Sequence, residues 1–141
     1  MTSPFKKYYK VINEDQIHHG LKYDLGEIED ILPFNSDTNC EPGGIYFCTN
    51  LDDLLLYLDH GTKIAILTIP NDALVSHGKD KSKTNKIFIE SICPIKDFFD
   101  WNDENFCMNA CKINPWTIEY IKNQSPELCQ LAIKKIPSVI E

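Results

Sequence analysis

A chain of 141 residues with 43% hydrophobic and 25% charged residues has the composition of one ordinary globular domain, or of one domain with a small appendage. The formal net charge is −7 and all 14 basic residues are lysine, so neither electrostatic steering nor a guanidinium fork is available for phosphate or guanine recognition. Nucleic acid is thereby excluded as the expected partner. A membrane is excluded too, because no apolar run approaches the roughly 20 residues of a bilayer span, and the start "MTSPFKKYYKVINEDQ" lacks the apolar core of an export signal. An intracellular, soluble protein is expected.

In chain order, "FKKYYKVIN" (residues 5–13) is rich in aromatic and β-branched residues and predicts a strand. "HHG" (His18, His19, Gly20) follows as a turn. "CEPGGIYFC" (residues 40–48) predicts a turn entering a core strand, with the glycines supplying positive φ. It does not open a helix, so it is no phosphate loop. "NLDDLLLYLDHG" predicts a helix capped by Asn50 and stopped at Gly61, with Leu51, Leu54, Leu55 and Leu58 as its buried stripe. "TKIAILTI" (residues 62–69) is a nearly continuous apolar run and predicts a central strand. The lysine-rich "HGKDKSKTNK" (residues 77–86) reads as a solvated loop, with contact to phosphates as the alternative. In "NKIFIESI" (residues 85–92), a period of two puts Phe88, Glu90 and Ile92 on one face and Ile87, Ile89 and Ser91 on the other.

Near Asp100 the composition changes from strands and turns to short helices. "ENFCMNACKINPWTIE" (residues 104–119) aligns with "PELCQLAIKKIPSVIE" (residues 126–141) at an offset of 22 residues throughout. Phe106 matches Leu128, Cys107 matches Cys129, Ala110 matches Ala132 and Pro115 matches Pro137. Each copy predicts a helix followed by a Pro-started second one, with Asn114 and Ser125 as caps ahead of Pro115 and Pro126. Two such units cannot bury their own apolar faces and should lean on what precedes them. The expected fold class is therefore α+β: an N-terminal domain over residues 1–100 with a mixed or antiparallel sheet and one or two helices, then a helical repeat pair over residues 101–141 whose second copy is truncated.

The six cysteines lack a C-x-x-C pair, and Cys107 and Cys111 sit at i and i+4 on one helix face. Six reduced structural thiols and no metal site are expected.

"FKKYYKVINEDQIHHGLKYDLGEIEDILPFN" followed by "CEPGGIYF" resembles the N-terminal region of many uncharacterised and ankyrin-repeat proteins of mimivirus-type giant viruses. The matching positions are His19, Gly20, Tyr23, Gly26, Pro33-Phe34-Asn35, Cys40, Pro42-Gly43-Gly44 and Tyr46-Phe47. The segment from Phe106 to Cys129 resembles a helical repeat common in the same viruses. The chain has no ankyrin signature of its own. The repeat architecture and the acidic, arginine-free composition point to a non-enzymatic, cofactor-free module that binds a viral or host protein, and the resemblance implies that it acts in the host cytoplasm or the virion. Its candidate binding residues are His18, His19, Tyr46 and Trp116. A competing reading comes from motif order: "HHG", then "GGIYF", a helix and "FIESICP" resemble the succession in ADP-ribosyltransferase folds. There His19 would hold the ribose and carboxamide side of NAD, Tyr46 would stack on nicotinamide, and Glu90 would hold the ribose 2′-hydroxyl and stabilise developing positive charge. That reading requires the three side chains to converge.

Overall fold

The computed structural model describes residues 6–18, 20–39 and 42–135. The strands are β1 (Tyr8–Ile12), β2 (Ile17–His18), β3 (Leu21–Lys22), β4 (Gly26–Glu29), β5 (Ile45–Phe47), β6 (Lys63–Thr68), β7 (Val75–His77), β8 (Ser82–Thr84) and β9 (Lys86–Pro94). The helices are α1 (Leu51–Leu55), α2 (Ile95–Phe98), α3 (Glu104–Ile113) and α4 (Pro126–Lys135), with 3₁₀ turns at Leu58–His60 and Pro115–Tyr120. The class is α+β, and every sheet is antiparallel.

A four-stranded sheet runs β1-β6-β9-β4, a three-stranded sheet runs β5-β8-β7, and β2-β3 form a hairpin. The apolar run becomes β6, and its Ile64, Ala65 and Leu67 have no exposed surface, as a strand covered on both faces requires. Its alternation divides the molecule. Ala65 and Leu67, with Ile12, Ile87 and Ile89, face Ile45 and Phe47 of β5 in one core. Ile64 faces the other way, into a core built with α1, α2, α3 and α4. The three-stranded sheet joins the larger one through a Tyr9–Cys48 bridge, with N–O distances of 3.0 and 2.7 Å.

The helix signals act as the caps predict. Asn50 Oδ1 accepts from Asp53 N at 2.8 Å, Asp103 Oδ1 from Phe106 N at 3.2 Å, and Ser125 Oγ from Leu128 N at 3.2 Å. α3 starts at Glu104 and α4 at Pro126, the spacing of the sequence repeat. The segment after Asn114 is a 3₁₀ turn rather than an α-helix, and its counterpart in the second copy lies outside the described residues. Cys48, Cys93, Cys107, Cys111 and Cys129 are free thiols, and Cys40 lies outside the described residues.

Three local expectations need correction. Leu51 is 41% exposed, because the first residue of a five-residue helix lies ahead of the turn that packs, and the buried stripe is Leu54, Leu55 and Leu58. The strict alternation of β9 fails at a bulge: Leu67 pairs with Ile89 but Ile66 with Ser91, leaving Glu90 as the extra residue. Ile92 consequently rejoins the core that holds Ile87 and Ile89. The lysine-rich loop is the β7–β8 hairpin instead, and Ser82, Lys83 and Thr84 are all buried in it.

Candidate functional site

The same alternation that fills the cores puts Tyr8, Lys10 and Ile12 of β1 on the face toward β5. Where β1, the β2–β3 hairpin and the turn before β5 meet, they enclose a cavity of about 610 Å³. Its walls include Lys10, His18, Tyr23, Tyr46 and Lys81 among apolar residues such as Ile12 and Phe47. The Pro-Gly-Gly turn forms one rim because only glycine fits there. Gly44 has φ +143°, and a Cβ on it would lie 2.6 Å from Lys83 Cγ. The Gly44 N–H donates to Asp30 Oδ2 at 2.6 Å, which fixes the rim to the segment after β4.

The electrostatics of this cavity are dominated by lysine. Lys83 has no exposed surface, and its ammonium donates to Asp37 O at 2.8 Å. Lys81 and Lys83 place their Nζ atoms 4.4 and 5.2 Å from the Tyr46 ring centroid. Lys10 Nζ donates to Tyr46 O at 2.8 Å and lies 5.3 Å from the Tyr23 ring centroid. Burial lowers the Lys10 amine to about 8, with the Cys48 sulfur opposing the shift and the Lys81 charge adding to it. Burial also pushes the Cys48 thiol up to about 12, aided by Asp53, so it is neutral at physiological pH. The Tyr23 phenol is raised as well, by burial and then by Asp30. Among the described residues the lysine–carboxylate ion pairs belong to Lys7, Lys63 and Lys86, and none to Lys10.

Of the sequence candidates, His18 and Tyr46 line this cavity together, and His19 lies outside the described residues. Glu90 does not join them. It is exposed on the face of β9 opposite Ile87 and Ile89 and is paired with Lys7. The His-Tyr-Glu set is thus not assembled among the described residues. Nor does any group of three or more His, Cys, Asp or Glu side chains there make a metal site. Sequence reasoning missed Lys10, and it took Lys81 and Lys83 for part of a solvated loop. Lys10 had a readable signal, since it stands between Tyr8 and Ile12 on the inward face of a strand.

Trp116 lies elsewhere, on the 3₁₀ turn, 44% exposed. Its mounting is rigid. The buried Asn114 accepts from Trp116 N at 3.1 Å, while its Nδ2 donates to Leu55 O at 3.0 Å and Asp59 Oδ1 at 3.1 Å. Leu56, whose carbonyl lies 3.4 Å from the same amide, is 38% exposed. One asparagine therefore holds two exposed apolar residues in fixed relation, with Asp59 and Glu119 exposed nearby.

Among known proteins, the chain is 32% identical over 69 residues to a protein of Acanthamoeba polyphaga mimivirus that carries the ankyrin-repeat name, covering 48% of this chain and 34% of that protein. It is also 32% identical over 92 residues to a second such protein of the same virus, covering 60% of this chain and 15% of that protein. The chain thus spans about a third or less of the length of these relatives, and the relationship is a distant one to giant-virus ankyrin-repeat proteins. No family model and no solved structure matches it.

Proposed function

We propose that the chain is a non-enzymatic protein-binding module of a giant virus, acting in the host cytoplasm or the virion and engaging its partner through Trp116 and Leu56. The observation that carries this reading is the mounting of Trp116: a large exposed aromatic whose backbone N–H is held by a buried side chain that also bonds α1 and the 3₁₀ turn after it. Tryptophan is among the side chains that most often dominate binding energy at an interface, and an anchored backbone leaves less conformational entropy to be lost. The mimivirus relatives named for ankyrin repeats favour the same class of function, and stacked helical units are suited to presenting binding surface. The acidic rim of Asp59 and Glu119, in a chain of net charge −7, favours a partner with basic residues around an apolar pocket.

Affinity capture from giant-virus-infected amoebae tests this, with the whole chain and its Trp116→Ala and Leu56→Ala variants as baits. A specific protein enriched by the unaltered chain is expected to fall by about tenfold or more with Trp116→Ala. Equal enrichment by bait and variants, with the circular dichroism of all three unchanged, overturns the assignment of the surface.

A further inference from the structure

The cavity between β1, β5 and the β2–β3 hairpin is separate from the Trp116 surface and has its own chemistry. Lys10 enters it from the inward face of β1, half-buried. An ammonium offers three donors. The described partners of Lys10 are one carbonyl, Tyr46 O at 2.8 Å, and the Tyr23 ring face. Even partial removal of a cation from water is costly without a countercharge, and such sites are normally completed by an anion.

Among the described residues, the groups that face Lys10 do not complete it. From β5 comes the Tyr46 carbonyl and from just after it the neutral Cys48 thiol; from β6 comes Ala65, its register partner. Lys81 adds a second positive charge. Asp30 holds the Gly44 N–H, Asp80 accepts from Tyr57 OH at 2.7 Å, and Asp53 lies toward Cys48 at α1. His18 and His60 stand on the walls, where they add hydrogen-bonding nitrogens. The remaining wall is apolar, from Ile12, Leu21, Leu32 and Phe47, and a volume of about 610 Å³ lies within the range of small-molecule sites.

We infer that this cavity binds a small organic anion, its carboxylate or phosphate head on Lys10 and its apolar body against Ile12, Leu21 and Phe47. The protonated amine is the binding form. Affinity therefore falls as the pH rises through about 8, where Lys10 loses its proton. An anion placed on Lys10 raises its pKa, so binding near that pH takes up a proton from the buffer.

The test is calorimetric titration of the whole chain with benzoate, with its neutral isostere benzamide, and with adenosine monophosphate, a phosphate-headed probe. At least one of the two anions is expected to bind, benzamide to bind about tenfold more weakly than benzoate if the head is a carboxylate, and the bound anion to lose about tenfold or more in the Lys10→Met variant. Binding by adenosine monophosphate alone identifies the head as phosphate. For the anion that binds, the apparent enthalpy near pH 8 should differ between buffers of different ionisation enthalpy, a readout on the unaltered protein that does not depend on how the variant folds. Benzamide matching benzoate, an undiminished affinity in a folded Lys10→Met variant, or no anion binding at millimolar concentration overturns the inference.

Discussion

Lys10 and Cys48 face each other at the wall of the cavity, and burial pushes both toward their neutral forms. Their effects on stability run in opposite directions with pH. Lys10 titrates near 8 when folded against an ordinary 10.5, so between those values the unfolded chain holds the proton and the folded chain sheds it. Stability therefore rises with pH from about 8 upward, by at most ~1.4 kcal/mol per pH unit. Cys48 titrates near 12 when folded against an ordinary 9.0, so above 9.0 the unfolded chain loses its proton first and stability falls. The raised Tyr23 phenol adds to that fall above its ordinary 10.0. Urea unfolding across this range should give a maximum near pH 9, and Lys10→Met should remove the rising limb while keeping the falling one. A wild-type stability that is flat or falling between pH 8 and 9 contradicts the burial of a cationic Lys10. Lys83 is harder to read from sequence than Lys10, because a lysine in a lysine-rich loop carries the same letter whether its ammonium is solvated or, like that of Lys83, lies on a carbonyl 2.8 Å away.

At the scale of elements, the signals that proved legible were local ones. Asn50 and Ser125 cap the helices that follow because a side-chain oxygen one turn ahead of the first free N–H groups needs no distant partner. The apolar run of β6 declared a covered strand for the same reason. What escaped was set by pairing. The bulge at Glu90 comes from the register of β6 against β9, and it reverses the face of every later side chain in that strand. Glu90 itself was a candidate because of its place in a motif order, and order along the chain does not specify which face of a sheet a carboxylate takes. Asn114 combines both kinds of information. As a cap ahead of Pro115 it was expected, but its ties to Leu55 and Asp59 across the fold were not. Asn114→Ala should therefore cost more than an ordinary cap, ~2 kcal/mol or more, since it leaves a buried carbonyl unsatisfied. Ser125→Ala, whose hydroxyl among the described residues serves as the cap for Leu128, should cost ~1 kcal/mol. Equal shifts of the two urea midpoints would show that the cross-fold bonds of Asn114 contribute nothing.

At the scale of the whole molecule, the composition change at Asp100 is not matched by a break in packing. Leu54, Leu55, Leu58, Ile64 and Ile95 belong to the same buried cluster as Trp101, Cys107, Ala110, Ile118 and Leu128. A pair of short helical units has one face to hide, and here it is hidden against α1 and the sheet, so the turn carrying Trp116 is held from both sides of the sequence. The surface proposed for partner binding depends on that shared core. Unfolding of residues 1–100 expressed alone, set beside the whole chain, is the most direct measurement of it. The whole chain should unfold in urea in one transition, coincident by tryptophan fluorescence and by far-ultraviolet circular dichroism, while the fragment, with five fully buried side chains laid open, should aggregate or unfold without cooperativity. A soluble fragment that unfolds cooperatively with the stability of the whole chain would contradict it.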